Sequence, residues 1–246
     1  MRRICILTFV TSLMFASGSG QAQLGDILNR AKKAVESSSA SSLGLSNEKI
    51  IAGLKEALTV STGNAVASTG RPDGFLKNPA IKIPLPGPLA TAGKGLRLLG
   101  MGSQLDELEV SMNRAAEQAA PAAKQIFIIA VTKMTFDDAR KILSGKETAA
   151  TEYFKKQSSD PLTVAFTPIV HKTMEKVGVL ERYQKVIQNS GAAQLLGSQN
   201  FNLDKYVVGK SLDGLFYILG EEEKKIRKDP AARTTSLLKE VFGKKL

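Results

Sequence analysis

The chain of 246 residues sets 34 lysines and arginines against 23 aspartates and glutamates, for a net charge of +11. It has one cysteine, one histidine and no tryptophan. Beyond Cys5 there is no thiol, which excludes disulfides, thiolate metal sites and a cysteine nucleophile there. A lone imidazole, His171, makes a histidine metal centre or a Ser-His-Asp triad a poor fit.

Residues 1–22 read as a signal peptide. Arg2 and Arg3 precede the apolar run "ICILTFVTSLMFA", and "SGSGQA" offers a cleavage point after Ala22. The run is shorter than the ~20 apolar residues of a membrane span, so retention as an anchor is the lesser alternative. Gln23 stands where a lipid anchor would need cysteine. The expected location is periplasmic, with no membrane span after signal removal. Residues 23–45 then supply a short amphipathic helix at 24–35 and the serine-rich linker "ESSSASSLGLS".

Residues 46–246 read as one helical domain; a chain of this length buries roughly 70% of its unfolded surface. Ser46 suits an N-cap, and Ile50, Leu54, Leu58 and Val66 mark the buried face of the helix that follows. Residues 70–88 hold five of the nine prolines. Missing amide donors rule out a through-running helix or a central strand, so an extended arm is expected, with Ile81, Ile83 and Leu85 turned inward. From Ser103 to Met134 the apolar residues Leu105, Leu108, Met112, Ala116, Ala119, Ala123, Ile126 and Ala130 share one helical face. Pro121 should kink it, and "IFIIAV", apolar on every side, should sit at the bundle centre. Thr135 and Asp138 fit a capping box, with Asp137 beside them, and Gly145 ends the short helix. Asp160-Pro161 and Asp229-Pro230 are expected to restart helices as N-cap and first-turn proline. The helices "VLERYQKVI", residues 203–228 capped by Asn202, and "ARTTSLLKEVFG" complete the chain. Gly209, Gly214 and Gly220 weaken the penultimate helix unless they admit a close neighbour. The fold class is all-α: a single-domain irregular helical bundle with a proline-rich extended arm.

Motifs for chemistry fail on inspection. "VVGKS" lacks the first glycine of a phosphate-binding loop, and Ser46/Lys49 and Ser236/Lys239 match S-x-x-K without the companion K-T-G. Asp137 and Asp138 point about 100° apart on a helix, which suits capping better than paired acid–base work. No catalytic residue, metal or cofactor is expected. Asn113, Arg114 and Glu117, with Arg227, Arg233 and Thr234, form the strongest polar set. An interhelical salt-bridge network around Glu117 is the preferred role, and an anion site is the alternative. Asp137, Asp138, Asp160 and Asp229 are assigned to helix capping.

"GLKEAL", "DGFLKNPAIKIPLP", "MNRAAEQA", "MTFDDARKIL", "AATEYF" and "LDGLFYILGEEEKKIRKDPAARTTSLLKEVFG" together resemble the bacterial "domain of unknown function 4197" family, in order and over nearly the whole exported chain. The resemblance implies an exported, mostly helical envelope protein without an assigned reaction. Charge and export point to a non-catalytic module for an anionic or amphiphilic envelope component, with anionic lipid as the partner and nucleic acid excluded. A carrier with an apolar pocket around "LFYIL" and "IFIIAV" is the first alternative, and a hydrolase using Glu117 or Asp137/Asp138 the second.

Overall fold

Seven α-helices and one 3-10 turn make up the regular structure in the computed structural model, which describes residues 47–176, 202–229 and 239. They are α1 (Asn47–Gly70), α2 (Gly87–Leu98), α3 (Gly102–Ala119), the 3-10 turn (Ala120–Ala122), α4 (Ala123–Lys133), α5 (Phe136–Ser144), α6 (Ala149–Lys176) and α7 (Leu203–Lys228). No strand occurs among the described residues, and the fold is all-α. The signal segment, the helix at 24–35, the Ser46 cap, "VLERYQKVI", and all but Lys239 of "ARTTSLLKEVFG" lie outside the described residues.

Helix α1 buries Leu54, Leu58, Ala65 and Val66, but also Ser61, Thr62 and Thr69. These three hydroxyls donate to carbonyls of their own helix, at Ala57, Leu58 and Ala65, so they enter the core without an outside partner. The α3–α4 pair buries Leu105, Leu108, Met112, Ala116, Ala119, Ala123 and Ala130. The 3-10 turn falls at Pro121, where an α-helix would require an amide hydrogen that proline lacks. Around these, α6 packs on α3, α4, α5 and α7, and α7 packs on α1. Phe127 of α4 meets Phe154 of α6 and Phe216 of α7 edge-on, with ring centroids 5.3 and 6.2 Å away.

Three expectations are corrected. First, α6 runs unbroken through Asp160, Pro161 and Pro168, so Asp160 is a mid-helix residue and caps nothing. Its buried residues Phe154, Ser158, Leu162, Phe166, Val170 and Met174 recur every four positions, while both prolines are exposed. The carbonyls they leave free therefore face water, and packing on the other side holds the helix together. Second, "IFIIAV" is not buried all round. Phe127, Ala130 and Val131 face α1 and α6, but Ile129 is 45% exposed. Third, the proline-rich segment is extended only over residues 82–86. Turns occupy 71–77 and 79–81, and α2 begins at Gly87. Pro86 is the N-cap and Pro88 lies in the first turn, a position where a missing amide hydrogen costs nothing.

The segment still sends Phe75, Ile81 and Ile83 into the core. Room for them comes from α7: a Cβ on Gly214 would lie 2.6 Å from Phe75 Cε1 and 3.1 Å from Ile81 Cβ. Gly220 makes ordinary contacts and Gly209 faces open space. Of the three glycines of α7, Gly214 is the one that a close neighbour requires.

Candidate functional site

Asn113, Arg114 and Glu117 occupy one flank of α3 and hold the segment 73–83 against it. The Asn113 side chain accepts from Ile83 N at 2.8 Å and donates to Ile83 O at 2.9 Å, as a neighbouring strand would. Buried Glu117 accepts from the amides of Phe75 and Leu76, each at 3.1 Å. Its second oxygen takes Arg114 Nη1 at 2.6 Å, and Arg114 Nη2 reaches Asp73 at 2.7 Å. Asp73 has a left-handed backbone (φ 65) and also pairs with Lys77 at 2.8 Å. Bonds from Lys77 and then Arg114 hold its carboxyl below the usual 3.8. Arg114 is pushed upward by Glu117 and then Asp73.

Arg227 belongs to a second cluster. Its guanidinium binds Glu223, four residues back on α7, at 2.9 and 3.0 Å, and donates to Ile142 O at 2.7 Å. Glu223 accepts from Ala150 N at 3.0 Å, Thr151 N at 2.9 Å and Thr151 Oγ1 at 2.8 Å. A buried carboxylate thus meets the orphan amides at the start of α6, where the helix dipole favours negative charge. The six-residue set expected from the sequence therefore splits. Glu117 pairs within α3, and Arg227 pairs within α7 rather than crossing to Glu117. Arg233 and Thr234 lie outside the described residues.

The remaining acids sit at helix ends, except Asp160. Asp138 accepts from Thr135 N at 3.1 Å and Thr135 Oγ1 at 2.7 Å, and Asp138 N donates back to Thr135 Oγ1 at 3.2 Å. These bonds hold the Asp138 carboxyl below its ordinary value. Asp137 is exposed in the same first turn. Asp229 is the C-cap of α7, its amide donating to Lys225 O at 2.7 Å, and whatever it starts lies beyond the described residues. His171 is exposed and straps α6 to α7: Nδ1 lies 2.7 Å from Asp204, and Nε2 3.2 Å from Glu175. The bond to Asp204, then its charge and that of Glu175, raise the imidazole above 6.5. No group of three or more His, Cys, Asp or Glu side chains is placed to hold a metal among the described residues.

Among the described residues, two hollows bear on ligand binding. One of about 10 Å³, beside Leu54, Ser61, Glu223 and Arg227, has room for about one water. The other is an open groove of about 240 Å³ between α6 and α7, lined by Glu152, Lys155, Asp213, Tyr217, Glu221 and Lys224 among others. Neither is an enclosed apolar chamber, and neither is lined by Glu117, Asp137 or Asp138.

Sequence reasoning passed over Glu223, hidden in the run "EEE". A signal existed: it lies four residues after Leu219 and three before Ile226, on the buried stripe, and four before Arg227. It also passed over the exposed pair Leu98 and Leu99 at the end of α2.

No helix among the described residues is long and apolar enough to cross a membrane. Comparison with curated proteins finds no match, and comparison with solved structures finds none. A family model matches residues 44–243, which take in all seven helices and the candidate residues of both clusters, and by that match the chain belongs to the family described as "Protein of unknown function (DUF4197)".

Proposed function

We propose that the protein is an exported, non-catalytic envelope protein that binds an anionic or amphiphilic envelope component. The observation that carries the non-catalytic part is the state of its buried glutamates. Glu117 and Glu223 each accept from two backbone amides and an arginine. A general acid or base needs a lone pair or proton free to reach a substrate. Export follows from residues 1–22, and the attraction to anions from the net charge of +11. Lys94, Lys124, Lys133 and Lys172 are exposed and in no ion pair among the described residues, so they are available to an outside partner.

Protein recovered from the periplasmic fraction of an expressing bacterium tests this. Its N-terminus should begin at Gln23. It should sediment with phosphatidylglycerol vesicles at low salt, be released as salt rises, and ignore phosphatidylcholine vesicles. Binding that is absent, blind to lipid charge or insensitive to salt would remove the proposal.

A further inference from the structure

We infer that the end of α2 and its capping turn form a tip that inserts Leu98 and Leu99 into the surface of an anionic phospholipid layer. The inference rests on the envelope-binding proposal above and says which part of the molecule does the binding.

Helix α2 packs on α3 and buries Leu89 and Leu96. Its last turn closes in a left-handed cap: Gly100 (φ 81) donates to Arg97 O at 3.1 Å, and Met101 N to Leu96 O at 3.0 Å. That pair of bonds is the Schellman arrangement, and it normally comes with an apolar contact between the residues Leu96 and Met101 occupy here. Both do pack into the core. Arg97 ties the same turn to α3 through Asp106, at 2.5 and 3.2 Å. The cap is therefore well bonded, and it directs the next two leucines outward. Leu98 is 89% exposed and Leu99 71%. Two neighbouring large apolar side chains at a helix end, uncovered among the described residues, are suited to an occupant from outside.

Charge selects a lipid surface. Arg97 is matched by Asp106, which leaves Lys94 as the unmatched charge of the turn among the described residues. Lys94, one turn before Leu98, is exposed and in no ion pair among the described residues. A lysine can lay its stem on the acyl boundary and keep its ammonium among headgroup phosphates, while leucines enter the apolar layer. A protein partner would more typically meet aromatic and arginine anchors set in a pocket; this tip has no aromatic side chain, and its Arg97 is engaged by Asp106.

The absence of tryptophan provides a direct test. Leu99→Trp introduces a sole indole at an exposed position. With phosphatidylglycerol vesicles its emission should shift to the blue and be quenched by acyl-chain-brominated lipid. Sedimentation with the vesicles but no blue shift overturns the tip and leaves the envelope-binding proposal standing. Neither sedimentation nor shift overturns both. A blue shift that grows with protein concentration in the absence of vesicles assigns the tip to a second copy of the chain and overturns the lipid assignment. As a companion, Leu98→Ser with Leu99→Ser should leave Tm unchanged and weaken partitioning by roughly tenfold or more per leucine. Lys94→Glu should weaken it about fivefold or more. Unchanged partitioning in the double-serine variant overturns the inference.

Discussion

Glu117 and Glu223 share one design and serve it to different ends. Each is buried, each has an arginine on its own helix, and each accepts two consecutive backbone amides from a distant segment. Glu223 meets the first turn of α6, where amides without intrahelical partners and a positive dipole end already exist. Glu117 meets a turn, around Phe75, that has no such bias of its own. The arginines differ as well. The Arg227 side chain is 15% exposed and also binds Ile142 O, whereas Arg114 is 37% exposed and shares its charge with Asp73. The same carboxylate–arginine pair thus anchors a regular element in a dry setting and an irregular one in a wetter setting. An acid next to an arginine in sequence says little about function until the group on its far side is known.

That contrast can be broken by experiment. Glu223→Ala should have the largest effect, about 3–5 kcal/mol of stability, because it strands a mostly buried guanidinium and two amides. Thermal unfolding should show it as a Tm drop of more than about 6 °C. Glu117→Ala should cost less, about 1–3 kcal/mol, since water can reach Arg114. Hydrogen exchange should then speed up at Phe75 and Leu76 and leave Ala150 and Thr151 alone. The two glutamates share no partner, so the double variant should equal the sum within about 0.5 kcal/mol; a larger coupling would mean the clamps act as one.

Smaller effects calibrate the scale. Thr135→Ala removes the capping box of α5 and should cost about 1 kcal/mol by denaturant titration. His171→Gln should show only a pH-dependent deficit. The folded imidazole titrates above the 6.5 of an unfolded chain, so its pairing stabilises fully below 6.5 and is lost as pH rises through the raised value. The Tm difference from wild type should therefore be present near about pH 5.5 and vanish in alkaline buffer.

Legibility from sequence followed the distance to the partner. The stripe from Leu105 to Ala130, a disturbance at Pro121 (expected as a kink, found as a 3-10 turn), the Thr135–Asp138 box and the Asn202 cap are all settled within a few residues, where spacing and capping chemistry can be read. The clamps are not, because Glu117 meets Phe75 across 42 positions and Glu223 meets Ala150 across 73. Prolines misled in two ways. Pro86 and Pro88 looked like breakers and instead open α2. Asp160-Pro161 carries every local mark of a helix start, yet burial of Phe154, Leu162 and Phe166 on the far side outweighs one lost hydrogen bond.

The four-residue repeat along α6 has a further consequence. Four residues turn an ideal helix by about 400°, so the buried line creeps about 40° around the axis at each step. Pro161 and Pro168 stand seven and fourteen residues after Phe154; a heptad repeat starting there would drive both into the interior. The creeping line carries the inward side away from them instead. It also lets one rod change neighbours along its length, touching Phe127 of α4 near its beginning and Gln118 of α3 near its end.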